Sequence, residues 1–492
     1  MNWVAFFDHL PALPEAILLV GACVLMIADT FVKDERRAAT YWIAQGTLGL
    51  CLAATLWIIS VAGDSKYYIF NGLFVADLLS HVVKLVYYAA VSAALVYSRQ
   101  WLVDRGLLRG EFFSLLLFSL LGMMILASAS SFLTVYLGLE LMSLCLYAMV
   151  ALNRDSALAT EAAMKYFVLG ALSSGLLLYG MSMIYGATGT LAIPEVAASV
   201  GALASRDHNF LVFGLVFIVA GVAFKLGVVP FHMWIPDVYH GAPTPVTLVV
   251  GSGPKLAAFA MAVRLLVNAL PALAADWQQM LALLAILSMA VGNITAIAQS
   301  NLKRMLAYSA IANMGFMLLG LLSGMVEGNW LNRDAAYSAA LFYIIIYTIM
   351  SVGAFGMLCL LSRAGLDCEN LEDMRGLNRR NPWYAALMLL LMLSLAGLPP
   401  TAGFYAKLAV FNAAVSAGYV WLAVAAVLLS LVGAYYYLRI VKLMYFDEPK
   451  EAVPATPAHG GVLMSVNGLA LLLLGIVPGP LMDLCTVAIA SL

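Results

Sequence analysis

Long apolar runs alternate with short polar connections along the whole chain, and each run is long enough to cross a lipid bilayer. A spanning helix needs about 20 mostly apolar residues. Such windows occupy residues 12–32, 39–61, 77–97, 112–129, 131–151, 161–186, 210–229, 244–266, 277–298, 304–322, 335–362, 382–411, 418–445 and 461–490. The pattern predicts an all-α, polytopic membrane protein of about fourteen transmembrane helices. The longest connections, residues 187–209 and 363–381, are too short to hold a catalytic domain. Whatever the chain does, it does within the bundle.

Composition fits that reading. Of the 492 residues, 64% are hydrophobic and 10% charged, which is too little polar surface to coat a soluble globule of this size. Lys and Arg number 25 against 26 Asp and Glu, so no global basicity points to nucleic acid. Charge position says more than charge sum. Connections after odd-numbered spans hold Lys33, Arg36, Arg37, Arg99, Arg105, Arg109, Arg154, Lys303, Arg304, Arg363, Arg375, Arg379, Arg380 and Lys450, whereas those after even-numbered spans hold Lys66, Arg206 and Arg333. By the positive-inside rule both termini are expected outside the cytoplasm.

The opening MNWVAFFDHLPALPEAILLV has no basic n-region and no small-residue cleavage pattern, so the first helix is expected to be retained. Cys23, Cys51, Cys145, Cys359, Cys368 and Cys485 are scattered without metal-ligand spacing and read as small apolar residues. No metal or cofactor is expected in this chain. It carries no phosphate-cradling glycine loop (GSGPKL lacks the spacing), no flavin or NAD fingerprint and no haem-ligand pattern.

The ionisable residues inside the spans sort by depth. Arg264, Arg439 and Lys442 lie near helix ends, where long side chains snorkel to the headgroups. Lys84, with Asp77 and His81 above it on the same helix, reads as a partly snorkelled local pair. Lys165 follows Glu161 by four residues, a spacing that suits an ordinary helical pair as well as a transport role.

Lys225, Lys255 and Lys407 are different, because each is set in apolar sequence near the middle of its segment: GVAFKLGVV, GSGPKLAAF and AGFYAKLAV. A charge at mid-bilayer costs roughly 2.5–3.5 kcal/mol on insertion scales. Three such costs in one chain call for a reason. Glu140, in SFLTVYLGLELMSLCLYAMV, is the acidic residue at the centre of a span; it either ties two helices together or sets the protonation of a nearby lysine. His232 and His240 follow span 7 in VVPFHMWIPDVYHGAPTP, with His232 the stronger candidate for a proton path.

Two spans are interrupted. Span 7 carries Lys225 just before Gly227 and Pro230 and then continues apolar, and span 12 carries Pro399, Pro400 and Gly403 just before Lys407. Proline removes an N–H and frees upstream carbonyls, which lipid does not tolerate unless protein or water satisfies them. Broken helices of this kind mark ion paths. The two breaks are five spans apart, so their segments run in opposite directions. That spacing predicts two inverted five-helix repeats and places the two lysines equivalently in them. The expected divisions are residues 1–111 (three helices), 112–266 (first repeat), 267–445 (second repeat) and 446–492 (a C-terminal helix).

Several stretches carry a resemblance: FLTVYLGLELMSLCLYAMVAL, EAAMKYFVLGALSSGLLLYG, AFKLGVVPFHMWIPDVYHGAPTPV, PKLAAFA, NLKRMLAYSAIANMGF and LSLAGLPPTAGFYAK. In this order, over essentially the whole length, the chain resembles the antiporter-like subunits of respiratory complex I. It is most similar to the subunit N type, the bacterial counterpart of mitochondrial subunit 2. Subunit M resembles it too but has a glutamate where Lys407 stands, and subunit L has a C-terminal extension for which this chain has no room. Asn313 departs from the histidine common at that place in the siblings.

The resemblance implies a proton-translocating subunit of NADH:quinone oxidoreductase in the bacterial inner membrane. Its proton relay would consist of Glu140, Lys165, Lys225, His232, Lys255 and Lys407. Glu140 would modulate the first buried lysine, Lys165 would join the path, Lys225 would serve the input half-channel with His232 beside it, Lys255 would connect the halves, and Lys407 would end the second half-channel. NADH, FMN, iron–sulfur clusters and quinone would belong to partner subunits, and the membrane partners would be subunits of the M, L, K, J, A and H types together with lipid. Cation/proton antiporter and membrane-bound hydrogenase subunits share the fold and remain the alternatives.

Overall fold

The computed structural model describes residues 10–32, 37–63, 65–203, 207–326, 329–330, 332–362, 367–449 and 460–492. The expectations for residues 1–9 and for Lys33, Arg36, Arg206, Arg363 and Lys450 fall outside these residues. The first helices are α1 (Leu13–Asp29), α2 (Ala38–Ala62) and α3 (Leu78–Asp104), with a hairpin of β1 (Tyr67–Ile69) and β2 (Phe74–Ala76) between the last two. The hairpin is a small β addition to an otherwise helical bundle. Asp77 starts α3 with a capping box, its carboxylate accepting from the Ser80 N–H at 2.9 Å while the Asp77 N–H donates to Ser80 Oγ.

The bundle continues with α4 (Gly110–Ala127), α5 (Phe132–Val150) and α6 (Ala157–Thr188), then a short helix α7 (Ile193–Leu203) inside the connection that the sequence left without structure. α8 (His208–Leu226) ends at Gly227, whose φ of +75° is a left-handed cap that suits glycine. After the break come α9 (Trp234–Gly241), α10 (Thr244–Val250) and α11 (Gly253–Ala262), the last running on as a π-helical stretch over Val263–Ala269. Span 8 is therefore interrupted as well, at Gly251-Ser252. The Gly251 carbonyl accepts from the Ser351 hydroxyl at 2.8 Å.

The remaining helices are α12 (Ala274–Ile297), α13 (Leu302–Leu321), α14 (Arg333–Leu361), α15 (Leu377–Arg380), α16 (Pro382–Ala396), α17 (Ala402–Ser416), α18 (Val420–Tyr445), α19 (Gly461–Ile476) and α20 (Gly479–Ala490). Among the described residues, twelve helices are long and apolar enough to cross a membrane by themselves. Two further expected spans are interrupted: α19 with α20 forms a bent pair that makes a thirteenth candidate, and the span expected over 382–411 is split into α16 and α17. The second pair bends by 82°, so the single C-terminal helix expected over 461–490 is two. Pro478 and Pro480 supply no N–H for a continuous ladder there.

Small residues let helices approach closely where lipid supplies no hydrophobic drive. α4 meets α5 at Gly122 and Gly138, α6 meets α8 at Gly180 and Gly214, and α12 meets α13 at Gly292 and Gly315. At the second break, Gly397 caps α16 with φ +80°, and a Cβ on Gly403 would stand 1.8 Å from the Ser394 carbonyl oxygen. Gly403→Val is therefore expected to push α17 off α16 at a cost of about 1–3 kcal/mol. The check is a lower melting temperature of the purified membrane complex than that of Ala406→Gly, which removes volume nearby without a clash.

Candidate functional site

Buried bases divide into two kinds by what they face. Lys84 is fully buried and lies 2.6 Å from Glu15 of α1. Arg264, on the π-helical stretch, is 1% exposed; it holds both oxygens of Asp77 at 2.7 and 2.8 Å and donates twice to the Ala127 carbonyl. Lys303, counted from the sequence as a loop charge, is buried at the start of α13 and pairs with Glu369 at 2.7 Å while donating to the Ala242 carbonyl. Each of these cations has a carboxylate.

Two expectations are corrected by this. Arg264 does not snorkel, because the helix continues past it as a π-helical stretch and the guanidinium turns inward to Asp77. Lys84 is not in a local pair with Asp77, since Asp77 is already taken by Arg264 and the partner comes from α1. Lys442 is exposed and pairs with Asp447 at 2.7 Å, as a helix-end residue would. Arg439 is half-buried and donates to the Ile297 carbonyl.

The other kind of buried base faces only neutral oxygens. Lys225 Nζ is 2.9 Å from Ser143 Oγ and 3.5 Å from the Tyr147 hydroxyl, both on α5. Lys255 donates to the Leu226 carbonyl at 2.8 Å and lies 4.9 Å from the Trp234 ring centroid. Lys407 donates to the Ala396 and Leu395 carbonyls at 2.8 and 3.3 Å and to Ser430 Oγ at 2.9 Å. Among the described residues, no carboxylate lies within 4.0 Å of these three ammoniums. Such an amine can give up its proton without leaving an unpaired carboxylate behind.

The breaks explain two of these contacts. A helix interrupted in lipid leaves carbonyls without donors, and at each break a lysine supplies one. Lys255 closes the end of α8, and Lys407 closes the end of α16. The C-terminal end of a helix also favours a cation. The Phe224 carbonyl is met by the Trp234 indole N–H at 3.0 Å, and the Val229 N–H by Ser288 Oγ at 2.9 Å. Lys225 and Lys407 are not equivalent: one stands before its break on α8, the other after its break on α17. With Gly227 set against Gly397 and Pro230 against Pro400, Lys407 falls in register with Asp237, not with Lys225.

Glu140 stands one helical face with Ser143 and Tyr147, three and seven residues on. One of its oxygens is buried without a hydrogen-bond partner, and its charge acts on Lys225 from beyond ion-pair distance. Ser143 and Tyr147, which Lys225 meets, share the Glu140 face of α5. Lys165, with 43% of its side chain exposed, bridges Glu161 at 2.8 Å and Asp237 at 2.7 Å, and Asp237 also binds Arg304 at 2.8 Å. The helical pair suggested by spacing is present, and a second carboxylate joins it. His232 sits in the break with a buried, unpartnered Nδ1.

On α13, one turn before the residue that meets Lys407, lies a cluster of hydroxyls and an amide. Asn313 accepts from the Tyr343 hydroxyl at 2.7 Å and donates to the Ser309 carbonyl at 2.8 Å, and Ser309 and Tyr437 share a 2.5 Å contact. Phe316, one turn on from Asn313, lies 4.8 Å from Lys407 Nζ. Ser143, Tyr147, Asp237, Arg304, Tyr343, Ser430 and Tyr437 were not singled out from the sequence. The spacing from Glu140 could have flagged Ser143 and Tyr147; hydroxyls in apolar helices carry no comparable signal elsewhere.

A helical bundle with interrupted spans, in which three buried ammoniums face only hydroxyls and freed carbonyls, belongs to the antiporter type of membrane protein. The family described as NADH:quinone oxidoreductase/Mrp antiporter, TM matches residues 129–433. An NADH-quinone oxidoreductase subunit N of Thiobacillus denitrificans is 58% identical over 493 aligned positions, covering 99% of each chain. A chain of respiratory complex I from Thermus thermophilus is 34% identical, with a TM-score of 0.79 over 96% of this chain and 98% of that one. A chain of the Mrp complex from a Dietzia species, 21% identical, shares the fold with a TM-score of 0.84 over 100% and 98%. The chain belongs to the NADH:quinone oxidoreductase/Mrp antiporter family and, within it, to the NADH-quinone oxidoreductase subunit N group.

Proposed function

We propose that the chain is a proton-translocating membrane subunit of an NADH:quinone oxidoreductase. Protons pass along Glu140, Lys165, Lys225, Lys255 and Lys407, with His232 beside the first break. The observation that carries this reading is the division among buried bases: Lys225, Lys255 and Lys407 have neutral acceptors only, while the buried bases off this line have carboxylates. Each lysine has a hydroxyl or carbonyl to return to, and one charge crossing the field is worth about 2.3 kcal/mol per 100 mV.

Residues 112–266 and 267–445 act in this account as two inverted halves, flanked by 1–111 and 446–492. Lys255 sits at the joint. Oxidation of NADH and reduction of quinone, with FMN and iron–sulfur clusters, fall to partner subunits, and membrane subunits of the M, L, K, J, A and H types adjoin this one. The membrane is the bacterial inner membrane, with both termini on the non-cytoplasmic side.

The rival is an independent cation/proton antiporter. Vesicles carrying the assembled complex distinguish them: proton movement is expected on addition of NADH and quinone, and to stop with a quinone-reduction inhibitor. Sodium- or potassium-driven proton exchange in the absence of NADH and quinone would favour the rival.

A further inference from the structure

The first three helices hold a second line of buried polar groups that the central lysines do not use. Asp77, His81, Lys84 and Tyr88 recur along α3 at spacings of four, three and four residues, which sets them on one face. All are buried. The face continues through Ser92, whose hydroxyl donates to Gln45 of α2 at 2.8 Å, to Arg99, whose guanidinium lies 4.6 Å from the Tyr41 ring.

The two charged pairs on this face differ in kind. Arg264 and Asp77 saturate one another, with both carboxylate oxygens engaged and the spare guanidinium donors on the Ala127 carbonyl. Glu15 and Lys84 lie 2.6 Å apart without hydrogen-bond alignment. Both Glu15 oxygens, Lys84 Nζ and His81 Nδ1 are buried with no hydrogen-bond partner. Incompletely bonded buried charges are costly, and a pair kept only for stability is commonly bettered by apolar packing. Unsatisfied buried polar groups are rare in native structures, and an ordered water or a role in proton transfer is among the reasons they persist. Glu15 also borders a cavity of about 450 Å³, walled otherwise by apolar residues including Leu13, Phe74 and Ile125.

We propose that Glu15, Lys84 and His81 form a second proton-exchange site, separate from the central lysines, which loads and releases protons through the cavity beside Glu15. An N–H bond of the Lys84 ammonium breaks and an O–H bond forms on Glu15, turning the ion pair into an amine and a carboxylic acid at constant net charge. The acid gives its proton to the cavity beside Glu15, and the Lys84 amine is reprotonated through the His81 imidazole, which takes up a proton on Nδ1 and hands one on from Nε2. The other groups facing the site are Asp77 with Arg264, Lys66 near the hairpin, and Cys51 and Tyr88, on both of which Glu15 acts electrostatically. The site stands whether or not the central line conducts.

Infrared difference spectra of the purified, assembled complex between low and high pH test it. A protonated-carboxyl C=O band is expected that Glu15→Gln removes and Glu15→Asp shifts, and that Lys84→Met moves to a different titration range. Spectra of Glu15→Gln and Lys84→Met superimposable on the wild type would overturn the proposal. Should Glu15→Gln fail to assemble, Glu15→Asp decides alone, since an unshifted band excludes Glu15 as its source.

Discussion

Replacing Lys255 by methionine is expected to lower NADH-driven proton translocation on the order of 10²-fold, the low end of what a positioned proton-transfer group contributes. Lys255 is 1% exposed and is the ammonium nearest the end of α8, bound to the Leu226 carbonyl and set against Trp234. Methionine keeps the volume but leaves that carbonyl without a donor, which adds about 1–3 kcal/mol of destabilisation. Loss of function could then come from loss of structure, so Lys255→Arg is the informative companion. Arginine still donates to the carbonyl but does not give up its proton near neutral pH. The account expects Lys255→Arg to assemble with a near-normal melting temperature and still fail to translocate protons. Proton uptake into vesicles, normalised to assembled complex, checks both variants.

The largest effect on stability is expected at Arg264. Arg264→Leu leaves Asp77 as an unpaired carboxylate that is fully buried, and removing one partner of such a pair costs about 3–5 kcal/mol. The Ala127 carbonyl loses its donors at the same time. Few assembled complexes should be recovered from membranes. Adding Asp77→Leu removes the stranded charge, so the double variant is expected to recover most of the yield, although the Asp77 cap of α3 is lost for about 1 kcal/mol. Native gel electrophoresis of solubilised membranes measures this. Equal yields for the single and double variants would show that the unpaired charge is not the cause.

How far the sequence reaches can be judged from these same residues. Lys225, Lys255 and Lys407 were legible because apolar neighbours on both sides put a charge where lipid or protein must surround it. The breaks were legible because proline and glycine stand in the middle of long apolar runs. Arg264 was misread because distance along the chain from a span's expected end is a poor measure of depth: the helix runs on to Ala269, and the carboxylate that holds the guanidinium lies 187 positions earlier. Lys84 was misread for the same reason, with a near-sequence partner preferred to Glu15 on another helix.

The equivalence of Lys225 and Lys407 failed on register. Both are near a break, but setting glycine against glycine and proline against proline puts them twelve positions and one half-helix apart in their repeats, and Asp237 takes the place opposite Lys407. Hydroxyls such as Ser143, Tyr147 and Ser430 become site residues only once the helices are packed, because a serine or tyrosine in an apolar helix is ordinary until a lysine is found against it.

The central claim is that Lys225 and Lys407 carry protons rather than tie helices together. Proton uptake by vesicles containing the complex with Lys225→Ala or Lys407→Ala, measured alongside quinone reduction and with assembly confirmed, tests it most directly. The account predicts that assembled variants lose most of their NADH-driven proton uptake. Normal uptake and normal quinone reduction in a fully assembled complex would contradict it.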